Sequence, residues 1–208
     1  MNIGIIGSGN IGGTSAKLFV DAGHHVAIAN SRGPESLRDV VADLGANAHA
    51  ATAEDAARFG DVVLIAVPFK NYKDLPADAL AGKIVLDANN YYPSRDGQFA
   101  QLDDDSITSS EMTAQHLNAS RVVKGFNTIW SEHLKAQGNK SLAPDDRRAI
   151  FIASDDAEAK AVVAELIDSI GFAAFDTGTL ADGGRRQQVG APFYNKELTP
   201  KQARELER

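Results

Sequence analysis

Cysteine is absent from the 208 residues, which excludes disulfides, thiolate nucleophiles and Cys-ligated metals without identifying a compartment. Long apolar runs are missing too, and none approaches the roughly 20 residues of a bilayer-spanning helix. The N-terminus shows neither a basic segment nor a cleavage site, so a cytoplasmic protein with no membrane partner is expected. Positive charge is in the minority, with 21 Lys+Arg against 28 Asp+Glu and a formal net charge of −7. That balance argues against general nucleic-acid affinity, so an anionic ligand must be drawn by local groups. The 5 histidines show no ligand or triad spacing. Asp103-Asp104-Asp105 has no supporting ligand nearby and reads as a solvated turn, so no metal site is expected. Repeats and low-complexity tracts are also lacking. A composition of 43% hydrophobic and 24% charged residues is that of an ordinary globular chain, long enough for one domain or for one plus a small lobe.

The chain is organised around its start. Met1 to Gly7 reads as a short apolar strand that runs into Gly7-Ser8-Gly9-Asn10-Ile11-Gly12. Ile11, Leu18, Phe19 and Ala22 then recur at helical spacing, Gly23 ends the helix, and His25 to Asn30 gives a second strand. In the order strand, G-x-G-x-x-G, helix, strand, the glycines acquire a mechanism. Gly7 turns the chain, Gly9 leaves room for a pyrophosphate, and Gly12 lets the helix pack closely. The free N–H groups and dipole of the helix start then hold the diphosphate.

The second strand ends in Asn30-Ser31-Arg32, where a protein selecting NAD places Asp or Glu. An acid there repels a 2′-phosphate, whereas a guanidinium pairs with it and stacks on adenine. Ser31 and Ser36 add hydroxyl donors, and Pro34 begins a further helix whose N-terminal dipole favours the same anion. These residues point to NADP(H) over NAD(H), the alternative being that Arg32 is a solvated loop residue.

Alternation continues along the chain. Helices are expected over 37–44, from the Thr52–Asp55 cap to Phe59, near Glu111 to Leu117, over 130–137 and over 157–170. Strands are expected at 46–51, 61–67, 84–88, 121–127, 148–154 and 173–176. Ser94 to Ser109 reads as a polar loop, and Gly178 to Tyr194 as an irregular tail before a last helix capped by Thr199-Pro200. The pattern predicts an α/β fold with a Rossmann-type doubly wound, mostly parallel sheet and a small C-terminal α/β appendage. Residues 1–128 would form the nucleotide-binding domain and 129–208 a small lobe packed on it, or the two would be one continuous domain. Trp130 either covers an acceptor ring or serves as a core or dimer contact. Tyr91 and Tyr92 either line a cleft or brace a loop, and Arg185 and Arg186 attract an acidic tail or are plain exposed charge.

Together, Gly7 to Gly12, Asn30-Ser31-Arg32, Ala66-Val67-Pro68, Asp87-Ala88-Asn89 and Arg121 to Thr128 resemble, in that order, the NADPH-dependent deazaflavin (coenzyme F420) reductase family. They are also similar to the cytosolic reductase lobe of the six-transmembrane metalloreductases. The resemblance implies hydride transfer between NADPH and a deazaflavin or flavin ring, with FMN or FAD as the alternative acceptor, and it implies a homodimer. Ala66, Val67 and Pro68 would border the nicotinamide ribose, Asn89 and Asn127 would orient the rings, and Thr128, Ile129 and Trp130 would lie on the acceptor side. Direct transfer between rings stacked within roughly 3–3.5 Å needs positioning and dryness, so no catalytic acid, base or metal is assigned. Imine and 3-hydroxy-acid reductases share such a first domain but add a long helical domain, for which the stretch after Thr128 is too short. A non-catalytic NADPH sensor is the reading from another class, and it would lack the acceptor cleft.

Arg32→Asp is expected to weaken NADPH by about 1–3 kcal/mol, the range for charge-assisted bonds, and NADH much less. Titration of nucleotide fluorescence reads this, and equal loss for both nucleotides would contradict the phosphate assignment.

Overall fold

A computed structural model describes residues 1–206. Its frame is one eight-stranded sheet in the order β3-β2-β1-β4-β5-β6-β7-β8. The strands are β1 (Asn2–Ile6), β2 (His25–Ala29), β3 (Ala48–Ala50), β4 (Val62–Ile65), β5 (Ile84–Asp87), β6 (Arg121–Gly125), β7 (Ala149–Ala153) and β8 (Ala173–Asp176). All neighbours pair parallel except β6 with β7. The fold is thus the Rossmann-type α/β sheet expected, and β7 and β8 continue that same sheet.

Apolar residues fill both faces because the strands are covered on both sides. Ile3, Ile5, Val26, Ile28, Val62, Leu64, Leu86 and Val123 face one layer with Phe19, Leu134, Val163 and Leu166. Those side chains come from the helices Asn10–Asp21, Ser131–Ala136 and Ala157–Ser169. Alternate residues Ile6, Ala27, Val63, Ile65, Val85 and Val122 face the other layer, with Ala56, Phe69, Leu80 and Met112. In the first helix the fully buried side is Gly12, Ser15, Ala16 and Phe19, while Ile11, Leu18 and Ala22 are only partly covered. Three small residues and Phe19 set that contact.

The 94–109 segment departs from the polar loop expected. It forms helical turns at Pro93–Asp96 and Ala100–Asp103, and Leu102 and Ile107 are buried. Rings outside the segment hold it: Phe99 meets the distant Phe69 edge-on at 5.3 Å and the nearby Tyr91 at 5.7 Å. Tyr91 braces the same segment through its hydroxyl, which donates to Asp103 Oδ1 at 2.6 Å.

On the far side, Asp156 caps the helix Ala157–Ser169 by accepting from the Ala159 amide (2.9 Å). It also pairs through both oxygens with Arg121 (2.6 and 2.8 Å). The Arg121 bond first, then the Ala159 amide, holds its carboxyl down at about 2. A depressed carboxylate contributes stability that is complete above its unfolded value of about 3.9 and is lost as pH falls through the folded one. Asp156→Asn keeps a capping group while removing the charge. It is expected to lower the urea midpoint near neutral pH, with the gap closing between about pH 4 and pH 2; a gap independent of pH would contradict this.

Candidate functional site

In such sheets ligands lie beyond the carboxyl ends of the strands, where the strand order reverses, here between β1 and β4. Gly7 takes φ +112, and a Cβ there would sit 2.2 Å from the Ala66 carbonyl oxygen. A Cβ on Gly12 would lie 1.8 Å from the Gly7 oxygen. Larger side chains would therefore push the helix off the strand end. Gly9 by contrast faces open space. The helix behind it has no side-chain cap and no acid in its first turn, leaving its first N–H groups turned to an anion.

Asn30 ties this loop to the next one. Its Nδ2 donates to Ser8 Oγ (3.3 Å) and Ser36 Oγ (3.0 Å), and its Oδ1 accepts from the Arg32 amide (2.9 Å). Ser31 and Arg32 are exposed, and the Arg32 guanidinium carries no ion pair among the described residues. Pro34 opens a short 3-10 turn, Pro34–Leu37, ahead of the helix Arg38–Leu44.

A buried polar cluster lies under the β5 and β6 ends. Asp87 accepts from Ser110 Oγ (2.9 Å), the Asn89 amide (3.0 Å) and Lys124 Nζ (3.4 Å). Lys124 Nζ also donates to the Asn89 carbonyl. Burial lowers the Lys124 ammonium from its ordinary value, opposed by the charge of Asp87. Asn89 Oδ1 in turn accepts the Val67 amide (2.8 Å). Asn89 thus sits beneath the surface and fixes the Ala66-Val67-Pro68 bend, and its Nδ2 has no partner among the described residues.

Above this cluster opens a cleft of about 540 Å³. Of the residues singled out in the sequence, it brings together Asn10, Ile11, Tyr92, Asn127, Ile129 and Trp130. Gly7, Ser8, Gly9 and Gly12, Asn30 to Ser36 and Ala66 to Pro68 lie outside it. Thr128 is buried and borders a smaller cavity of about 210 Å³ on the far side of Trp130. Trp130 is 62% exposed and stacks on His133 at 6.1 Å, so it is not a core residue. Arg185 and Arg186 are engaged rather than free: one donates to the Asp105 carbonyl, and the other lies over Phe193.

The cleft also holds Asn90, Arg95, Phe126, Tyr194 and Asn195; sequence reasoning missed Arg95, Tyr194 and Asn195. Asn90 and Asn127 bond reciprocally: Asn90 Nδ2 to the Asn127 carbonyl (2.8 Å), Asn127 Nδ2 to Asn90 Oδ1 (3.1 Å). Asn127 Nδ2 also reaches the Gln187 carbonyl (2.8 Å), while its buried Oδ1 has no partner among the described residues. Phe126 and Asn195 are non-glycine residues at φ +66 and +53. Such backbone strain clusters at functional sites, and the signal for it was absent from the sequence.

Removing one member of a buried charge pair strands the other, at a typical cost of about 3–5 kcal/mol. Lys124→Met is expected to destabilise the protein by that amount in urea unfolding. Adding Asp87→Asn should restore part of it; additive losses would contradict the coupling.

Comparison with known proteins bears on the fold and the family. Residues 2–91 match the family model described as NADP oxidoreductase, coenzyme F420-dependent. The crystal structure of the hypothetical protein SMa0349 from Sinorhizobium meliloti is 35% identical, with TM-score 0.81 over 96% of this chain and 95% of that one. A proposed F420-dependent NADP-reductase from Arthrobacter sp. FB24 shares the fold at 24% identity, with TM-score 0.69 over 88% and 87% of the two chains. The metalloreductase STEAP2 of Mus musculus is 28% identical over 184 residues, 87% of this chain and 34% of that protein, so the chain spans about a third of that relative's length. Residues 2–91 thus carry the match to the NADP oxidoreductase family described as coenzyme F420-dependent.

Proposed function

We propose that this protein transfers hydride between NADP(H) and a flat deazaflavin (coenzyme F420) or flavin-like ring. One observation carries the reading: the cleft runs from the first turn of the dinucleotide-loop helix, Asn10 and Ile11, to the exposed Trp130. A nucleotide on the glycine loop and an acceptor under the indole would share that space. NADP(H) would be held by Gly7, Ser8, Gly9, Asn10, Ile11 and Gly12 at the pyrophosphate, and by Asn30, Ser31, Arg32 and Ser36 at the 2′-phosphate. Ala66, Val67 and Pro68, set by Asn89, would border the nicotinamide ribose. When bound, the cofactor supplies a hydride from its nicotinamide C4. The protein's share is positioning and exclusion of water. Asn127 offers an unsatisfied amide oxygen to an incoming N–H, and leaving it unpaired would cost the bound state. Thr128, Ile129 and Trp130 form the acceptor side, with the indole as the stacking surface.

The likeness to STEAP2 favours a second acceptor class, free FMN or FAD. A non-catalytic NADPH sensor would have no use for the cleft. A homodimer and a cytoplasmic location belong to the same proposal, on the family likeness. Among the described residues no helix is long and apolar enough to cross a membrane.

Stopped-flow NADPH oxidation with deazaflavin, FMN, FAD and quinone acceptors is expected to run fastest with the deazaflavin. Trp130→Ala should raise the acceptor KM about 3- to 10-fold, the weight of one aromatic contact, without changing NADPH affinity. Tight NADPH binding with no acceptor reduced would favour the sensor.

A further inference from the structure

Hydride transfer moves one proton and two electrons together. A C–H bond breaks on the donor, a new bond to hydrogen forms on the acceptor ring, and the ring is left with negative charge over its nitrogen and carbonyl edge. A preorganised donor at that edge stabilises the charge as it develops. Nothing assigned so far does this. We propose that the hydroxyls of Tyr92 and Tyr194 form a paired hydrogen-bond donor to that edge of the acceptor, an inference that rests on the hydride-transfer reading above.

These residues are 102 positions apart, yet their hydroxyls are in direct hydrogen-bond contact on the cleft wall. Tyr92 follows the β5 end. Tyr194 is held by its neighbour Phe193, which is fully buried and stacked on Phe151 at 4.5 Å. Arg95 lies over the Tyr92 ring at 4.8 Å, and its own fork is fixed by Asp96 (2.9 and 2.8 Å) and by the Asn90 carbonyl (2.7 Å). Either hydroxyl can donate within the pair; when Tyr92 donates to Tyr194, the Tyr194 hydroxyl hydrogen has no protein acceptor among the described residues.

Burial first, then contact with Tyr194, pushes Tyr92 up to about 12, so near neutral pH it stays a donor. The proton that finally neutralises the acceptor comes from water through the pair. Each phenol passes on one proton as it takes up another, and neither ends as a phenolate.

The test uses Tyr194→Phe and Tyr92→Phe in the full chain. Single-turnover stopped flow with NADPH and a deazaflavin or FMN should show hydride transfer slowed about 10- to 100-fold in Tyr194→Phe and less in Tyr92→Phe. Acceptor Kd should change under about threefold. The chain has 4 tyrosines, so ¹³Cζ-tyrosine NMR gives one assignable signal each. Adding the oxidised acceptor to the NADP⁺-loaded protein, where no turnover occurs, should shift Tyr194 and Tyr92 and leave Tyr72 and Tyr91 in place. An unchanged hydride rate in Tyr194→Phe, or a loss fully matched by weaker acceptor binding, would overturn the pairing. So would acceptor binding without a shift at either tyrosine. Failure of the wild-type protein to reduce or bind any acceptor would instead defeat the underlying functional reading, and this inference with it.

Discussion

Burying a lysine ammonium is tolerable only if its charge is answered on the spot, and the answer here is Asp87. The pair spans the carboxyl ends of β5 and β6. Through the Asn89 backbone and Ser110 it draws in the segment after β5 and the helix Ser109–His116, and through Asn89 Oδ1 it sets the bend after β4. Segments that leave the sheet at this edge are therefore not free loops. They start from one buried polar knot, and the cleft walls Asn90, Tyr92, Phe126 and Asn127 follow within a few residues of it.

The nucleotide end is held by a different principle. Backbone contact, not charge, sets the glycine loop, because Gly7 and Gly12 allow approaches that any Cβ would block. Charge enters at Arg32, which carries no ion pair among the described residues, on a protein whose net charge is −7. A globally acidic chain thus keeps a local positive point where a phosphate would rest. Between the two ends, the left-handed backbone at Phe126 turns Asn127 into the cleft, and packing against Phe19 (6.3 Å) covers the ring that carries the strain.

The strands and the first helix were legible because their signals are local: apolar runs, turn glycines and caps such as Thr52 accepting from Asp55. Asn30 and Arg32 were legible because their place at the β2 end is fixed by that alternation. The far wall was not. Adjacent amides Asn89 and Asn90 look alike in sequence, yet one is buried under the cleft and the other lines it. Tyr194 meets Tyr92 across 102 residues, a contact no periodicity announces. The 94–109 segment misled because Leu102 and Ile107, its buried anchors, follow neither helical nor strand spacing and depend on rings far away.

A crystal structure with NADP⁺ bound tests the central claim most directly. The account predicts the 2′-phosphate against the Arg32 guanidinium, the diphosphate over Gly9, and the nicotinamide beside Asn127 with its free face toward Trp130. Arg32 turned away from the nucleotide, or the cleft filled by the protein's own side chains, would contradict it.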